Sequence, residues 1–174
     1  MGYEENRVRL ISFFAALCMF LSAIEYAIPK PLPFLRLGLA NLPILLSLFV
    51  MRRKDTVVLI FLKVFAQGFI SGTIFSYIFV FSAAGSFASG FVMLAVHSLL
   101  WRTKHISAIG LCLAGAIGNN LAQIGVAFLI IFGQNTRFIA PVLLASGLVT
   151  GLVLGFFANI FMEKSKWFAS MKKN

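Results

Sequence analysis

Polar side chains inside apolar segments are the residues of this chain best suited to binding chemistry. Lys63, Gln67 and Ser71 follow one another at intervals of four residues, which places them on one face of a helix. Asn119 and Gln123 repeat this spacing in a second apolar segment. Ionisable and amide groups are costly in hydrocarbon, so they usually face a cavity or the interior of a helix bundle. The spacing therefore predicts a polar site between buried helices.

Further polar residues extend the predicted site. Glu25 lies near the end of the first apolar segment, Asn41 begins the second, and Arg36 belongs to the connection between them. Lys63 and Arg36 outweigh the single carboxylate of Glu25, and a net positive charge suits an anionic or carbonyl-rich ligand. The predicted substrate-binding residues are Glu25, Arg36, Asn41, Lys63, Gln67, Ser71, Asn119, Asn120 and Gln123.

A purely structural role is the alternative for the same residues. Asn and Gln side chains join membrane helices through hydrogen bonds, and Lys63 can pair with Glu25 or extend its ammonium group towards the interface. In the binding interpretation, Lys30 adds a second cation above the pocket, and Phe34 or Phe69 can stack on a ligand. The sequence leaves both interpretations open.

Residue types needed for common catalytic sites are missing from the sequence. Asp55 is its only aspartate, so the aspartate-rich magnesium clusters of enzymes that handle prenyl diphosphates cannot form. We find no phosphate-binding glycine loop and no Ser-His-Asp or Cys-His arrangement. Cys18 and Cys112 lie in apolar segments without metal-binding or redox spacing, which predicts packing roles. We therefore expect no enzymatic activity, no metal and no cofactor.

Composition predicts one all-α integral membrane domain over residues 1–174. The chain is 60% hydrophobic and only 11% charged, and apolar runs long enough for a bilayer recur along it. Its net charge of +10 does not indicate nucleic-acid binding, because the cations cluster at the ends of apolar segments. The predicted membrane spans are residues 8–28, 37–51, 56–81, 87–101, 106–132 and 138–162.

The distribution of cations predicts that both termini are cytoplasmic. With the N-terminus inside, three cations face outwards (Lys30, Arg36 and Arg137), and Lys63 lies within a span. The connection over residues 29–41 then lies outside, and its three prolines exclude a regular helix. We expect this connection to cover the pocket, and we expect residues 82–86 to form a second outer loop. The eleven cations expected to be cytoplasmic are Arg7, Arg9, Arg52, Arg53, Lys54, Arg102, Lys104, Lys164, Lys166, Lys172 and Lys173.

Small residues at intervals of four predict close helix contacts. The sixth span carries Gly147, Gly151 and Gly155, and we expect this stripe to pack against a matching stripe on the fifth span. A third set, on the first span, is a candidate surface for a neighbouring subunit. The matching stripe consists of Gly110, Ala114, Gly118 and Ala122, and the candidate docking residues are Ser12, Ala16, Ala23 and Ala27.

Three segments carry a resemblance to a known family: Pro31-Leu32-Pro33, Leu37-Gly38-Leu39-Ala40-Asn41 and residues 115–123. Over residues 10–161 the chain resembles the Gx transporter family, also labelled heptaprenyl diphosphate synthase component I. That family is grouped with the substrate-binding (S) components of energy-coupling factor (ECF) transporters.

The resemblance implies a six-helix S component in a bacterial-type plasma membrane. Such a component captures a micronutrient, or a cofactor or quinone precursor, at the outer face. It docks through its first span on a transmembrane coupling subunit that carries two cytoplasmic ATPases, and it topples to deliver its substrate. The connection between its first two spans gates the pocket. The docking stripe is matched loosely here, because Phe20 interrupts it between Ala16 and Ala23.

The second family label implies another function, a non-catalytic membrane subunit that assists a soluble heptaprenyl diphosphate synthase. A third possibility is a structural membrane partner of an unrelated complex. Neighbouring genes for ATPase and coupling subunits would favour the importer over both.

Overall fold

Helices make up most of the part of the protein that the structure describes. A computed structural model describes residues 2–28, 38–100, 107–166 and 168. A 3-10 turn at Leu39–Asn41 leads directly into the second helix, and a π-helical turn at Ala127–Phe132 followed by a 3-10 turn at Gly133–Asn135 joins the last two helices. The helices are α1 (Gly2–Ala27), α2 (Leu42–Val50), α3 (Arg53–Ile70), α4 (Tyr77–Leu100), α5 (Ala108–Val126) and α6 (Thr136–Lys164).

Three described segments are long and apolar enough to cross a bilayer: Glu4–Ala27, Tyr77–Leu100 and Ala108–Lys164, the last of which holds both α5 and α6. The chain is therefore an all-helical, multi-pass membrane protein. Leu39–Val50 is apolar but shorter. At 1.5 Å per residue it extends about 18 Å, against about 30 Å of hydrocarbon core. Six spans with cytoplasmic termini stay a prediction.

The short helix α2 lies at the centre of the bundle and positions the start of the polar site. All residues from Leu42 to Leu48 are buried, and α2 contacts α1 and each of the helices from α3 to α6. Pro43 fits the first turn of α2, where its missing N–H has no helical partner to lose. Asn41, the residue before α2, is thereby held among the surrounding helices.

The predicted boundary between the third and fourth spans is wrong. Residues 82–86 lie inside α4, and the break falls at residues 71–76 instead. Gly72 adopts a left-handed conformation (φ 62°). Its N–H donates to the carbonyl of Phe69, and the N–H of Thr73 donates to the carbonyl of Gly68. These two bonds form a Schellman motif, which ends α3. The small residues at 82–86 serve close helix contacts rather than a loop.

Gly72→Ala should destabilise the protein through backbone strain alone, by about 1–2 kcal/mol. An added Cβ meets nothing within 4 Å, so no side-chain clash contributes. Thermal unfolding of the purified protein measures the loss. Gly72→Asn should recover part of it, since asparagine tolerates the left-handed region better than alanine does. Equal melting temperatures for Gly72→Ala and the parent would contradict the assigned turn.

An ion pair joins α1 and α3 near the N-terminal ends of both helices. Arg7 Nε donates to Asp55 Oδ1 at 2.6 Å, and Arg7 also contacts Glu4 at 3.3 Å. Asp55 is buried in the first turn of α3, where its negative charge suits the helix N-terminus. α1 and α3 therefore begin at the same end of the bundle, which agrees with the predicted topology for these two helices.

Glycines set the spacing between the last three helices. The stripe of Gly147, Gly151 and Gly155 packs against α5, as predicted, because a methyl group on each would crowd an α5 residue. The facing residues differ from the predicted stripe: they are Asn120, Ala116, Cys112 and Ile109. Gly118, expected to face α6, packs on Val92 of α4 instead. The contact keeps the regular helical spacing, but it lies on a different face of α5 from the predicted stripe.

The candidate docking stripe on α1 lies on the outer surface of the bundle. Ser12, Ala16, Ala23 and Ala27 are all exposed, whereas Phe14, Cys18, Ser22 and Glu25 on the opposite face are buried. The stripe is thus open to lipid or to another subunit, and its use for docking stays a prediction.

Candidate functional site

Lys63 is the centre of a buried hydrogen-bonded group that joins three elements. Its ammonium nitrogen donates to Asn41 Oδ1 at 2.7 Å and to Ser86 Oγ at 2.8 Å. Asn41 Nδ2 donates in turn to Ser89 Oγ at 3.1 Å, and Ser86 Oγ donates to Gln67 Oε1 at 3.4 Å. We call these five residues the Lys63 network. It connects the turn before α2 with α3 and α4.

A second buried group of amides joins α5 to α6. Asn120 Nδ2 donates to the backbone carbonyl of Leu143 at 2.7 Å, and Asn119 Nδ2 donates to Asn120 Oδ1 at 3.2 Å. Gln123 Nε2 donates to Asn119 Oδ1 at 3.4 Å. We call Asn119, Asn120 and Gln123 the Asn119 network. The Gln123 side chain is fully buried, and its Oε1 has no hydrogen-bond partner among the described residues.

The two networks meet at a small cavity between α2, α4, α5 and α6. Asn41 and Ser89 contribute from the first network, and Asn119 contributes from the second. The space open to the centre of a water molecule is about 30 Å³, and one water needs roughly 10–15 Å³ of such space. The remaining lining residues are Gly38, Leu42, Met93, Cys112, Ala116, Gly147, Thr150, Gly151 and Leu154.

Two glycines allow the amides to reach this position. A Cβ on Gly85 would overlap Asn119 and crowd Gln123, and a Cβ on Gly147 would overlap Asn120. Gly85 lies on α4 and Gly147 on α6, so the Asn119 network fills the space that absent side chains leave on both sides of α5. The glycines therefore determine where the polar wall of the cavity lies.

The two networks contain six of the predicted site residues: Asn41, Lys63, Gln67, Asn119, Asn120 and Gln123. Only Asn41 and Asn119 line the cavity itself. Lys63 lies behind the wall and acts on the cavity through Asn41. Part of the cavity wall is therefore polar and has a buried cation behind it, and the binding role of these residues stays a prediction.

Other predicted residues are not brought to the cavity. Ser71 donates to the backbone carbonyl of Gln67 at 2.8 Å and contacts Thr73 Oγ1 at 2.6 Å, so it belongs to the turn after α3. A serine near a helix end readily bonds to its own backbone. Glu25 is buried on α1 and is not among the lining residues. Phe69 is largely exposed. Lys30, Phe34 and Arg36 lie outside the described residues.

Sequence reasoning missed Ser86, Ser89 and Thr150. Ser86 was assigned to the predicted loop at residues 82–86, which hid its place on a helix. A signal was present, because Ser82, Ser86, Ser89 and Met93 follow at intervals of four, three and four residues, typical of one buried helix face. All four are buried on α4. Thr150 gave no such signal in the sequence. In the structure its hydroxyl donates to the backbone carbonyl of Ser146 at 2.9 Å.

Within the described ranges, no group of three or more His, Cys, Asp or Glu residues is placed to hold a metal ion. The chemistry that the cavity offers is hydrogen bonding, from amides and hydroxyls close to a buried ammonium group.

Comparison with known proteins gives a family assignment. No curated protein and no solved structure matches the chain significantly. The family model described as heptaprenyl diphosphate synthase component I matches residues 14–161, which include the whole cavity and both networks. Since this match covers most of the sequence, the chain belongs to the heptaprenyl diphosphate synthase component I family.

Proposed function

We propose that the protein captures a small molecule in the membrane, as the substrate-binding S component of an ECF importer. The observation that carries this proposal is the cavity, whose polar wall is backed by the buried ammonium group of Lys63. Intramembrane ionisable residues are rare and usually mark a ligand or ion site. A helix bundle held together by structural hydrogen bonds alone has no need of a cation behind a cavity.

The proposed route of entry lies at the start of the second predicted span. Gly38 and Asn41 line the cavity; Gly38 directly follows residues 29–37, and Asn41 lies three residues later. We propose that this proline-rich connection is the gate. The cavity has room for about two waters, so a larger substrate enters only when the gate and the neighbouring helices open.

The proposed partners are a coupling subunit, docked on the exposed stripe of α1, and its cytoplasmic ATPases.

Mass spectrometry of small molecules that co-purify with the protein tests this proposal directly. Asn41→Ala removes the acceptor of the Lys63 bond and the donor to Ser89, so the recovered amount per mole of protein should fall. We expect a loss of affinity of about tenfold, the equivalent of about 1.4 kcal/mol, because the part of the cavity wall that Asn41 forms is removed. Gln123→Ala should act in the same direction by releasing Asn119.

Ser71→Ala is the matched control, because Ser71 lies on the same predicted face as Lys63 but bonds only within its own turn. It should leave the recovered amount unchanged. Equal recovery from the parent, Asn41→Ala and Gln123→Ala would rule out the cavity as the binding site.

The family description favours a second candidate, a non-catalytic membrane subunit that assists a prenyl diphosphate synthase. This function requires a soluble partner that brings its own aspartate-rich motifs. Affinity purification of the tagged membrane protein, followed by protein mass spectrometry, separates the candidates. Recovery of a prenyl synthase supports the second function, whereas recovery of ATPase and coupling subunits supports the first.

A further inference from the structure

The hydrogen bonds of the Lys63 network have a fixed direction. A lysine ammonium group donates and cannot accept, so the atom of Asn41 that faces it must be the amide oxygen. The amide nitrogen of Asn41 then faces Ser89, and Ser89 Oγ must accept. The hydroxyl hydrogen of Ser89 is left over, because Ser89 Oγ donates no hydrogen bond within the described part of the chain. Since Ser89 lines the cavity, this hydrogen is available there.

The Asn119 network has a fixed direction for the complementary reason. A backbone carbonyl accepts and cannot donate, so the amide nitrogen of Asn120 faces Leu143 and its oxygen faces Asn119. Asn119 therefore donates one N–H to Asn120 and retains a second. Its own oxygen accepts from Gln123. Asn119 lines the same cavity as Ser89, so this second N–H is a further candidate donor there.

We propose that the cavity binds the acceptor oxygen of a carbonyl or carboxylate group, held between the Ser89 hydroxyl and the second N–H of Asn119. This inference rests on the proposed function and names the chemical class of its substrate. The ammonium group of Lys63 strengthens the site, because it polarises Asn41 and through it the hydroxyl of Ser89. The Thr150 hydroxyl donates its only hydrogen to the backbone carbonyl of Ser146, so it offers no donor to the cavity.

Leu42, Met93 and Leu154 also line the cavity, so part of the surface around this oxygen is apolar. A molecule with only donors would leave both Ser89 and Asn119 facing other donors in a buried place, which is unfavourable. The first property that the cavity discriminates is therefore whether the ligand group accepts or donates hydrogen bonds, and its size and shape come second.

Cys112 supplies the measurement, because it is a cysteine among the residues that line the cavity. The chain has two cysteines, and Cys18 is fully buried elsewhere, so Cys18→Ala leaves Cys112 as the only thiol. The purified protein in lipid nanodiscs is treated with methyl methanethiosulfonate at neutral pH and constant ionic strength. Intact-mass spectrometry then gives the rate of modification with and without small probes.

Acetate, acetone and isopropylammonium are probes of similar branched shape. Acetate offers charged acceptors, acetone one neutral acceptor, and isopropylammonium donors only. Probes of this size bind weakly, so they are used at tens to hundreds of millimolar. We expect acetate or acetone to slow the modification of Cys112 at least about twofold, corresponding to half occupancy, and isopropylammonium to have no effect. Protection by acetate alone indicates a carboxylate ligand, whereas equal protection by both indicates a carbonyl.

Ser89→Ala should abolish the protection, since it removes one of the two donors. Ser98→Ala is its control, because Ser98 also lies on α4 but bonds to the carbonyl of Ala95 at 2.8 Å and lines no part of the cavity. Protection by isopropylammonium as strong as that by acetate would overturn the proposed ligand class while leaving a binding site in place. No protection by any probe would overturn the proposed ligand class and count against the cavity itself.

Discussion

Lys63→Met should abolish ligand binding while leaving the protein folded. The substitution removes two hydrogen bonds from an ammonium group, each worth about 1.5–3 kcal/mol, and also removes the penalty of several kcal/mol for burying a charge. These contributions to stability oppose each other and are of similar size. Binding has no such compensation, because Asn41 is no longer held or polarised. We expect at least a tenfold fall in co-purified ligand, with little change in melting temperature.

Lys54→Met is the matched control on the same helix, since Lys54 is exposed at the start of α3. It removes the same charge and should change neither quantity. If Lys63→Met instead lowered the melting temperature and kept the ligand, Lys63 would be a structural residue and the alternative interpretation of the buried amides would hold.

Gly147→Ala should be among the most destabilising single-methyl changes in the protein. The new methyl group would overlap the amide of Asn120, whose bond to the carbonyl of Leu143 measures 2.7 Å. Overpacking costs about 1–3 kcal/mol, and a buried amide that loses its partner adds about 1–3 kcal/mol. Together these give a loss of roughly 2–6 kcal/mol, which lowers the melting temperature by about 4–24 °C for a chain of this size.

Gly125→Ala is the control for this change. Gly125 is an exposed helical glycine on α5, and an added Cβ meets nothing within 4 Å. Alanine is favoured over glycine in a helix by about 1 kcal/mol, so Gly125→Ala should melt at the same temperature or slightly higher. Thermal unfolding of both variants in one detergent decides the matter, and a Gly147→Ala protein as stable as the parent would contradict the tight α5–α6 contact.

The sequence was sufficient to predict the polar faces of α3 and α5 and the packing of the α6 glycines. The polar faces follow from the helical period, and the glycine packing follows because helices can approach closely only where their residues are small. The face of α5 that meets α6 could not be predicted, because it depends on how the two helices are rotated about their axes. Ser82 to Ser86 was ambiguous for a related reason: small residues favour both loops and close helix contacts.

The cavity itself depends on features that no single segment contains. Asn41, Lys63 and Ser89 come from three elements, and their order in one hydrogen-bonded chain follows only from tertiary packing. Serines and threonines in membrane helices often bond to their own backbone, as Ser71 and Thr150 do. Nothing local distinguishes these from Ser89, whose hydroxyl faces another helix.

The tight turn between α3 and α4 has a consequence for how the protein enters the membrane. α3 carries Lys63 near its middle, and a lysine there opposes the insertion of a single helix by about 2.5–3.5 kcal/mol. The turn of residues 71–76 brings α4 alongside, where Ser86 accepts a hydrogen bond from Lys63. α3 and α4 are therefore expected to leave the translocon as a pair, with the apolar α4 carrying the more polar α3 into the lipid.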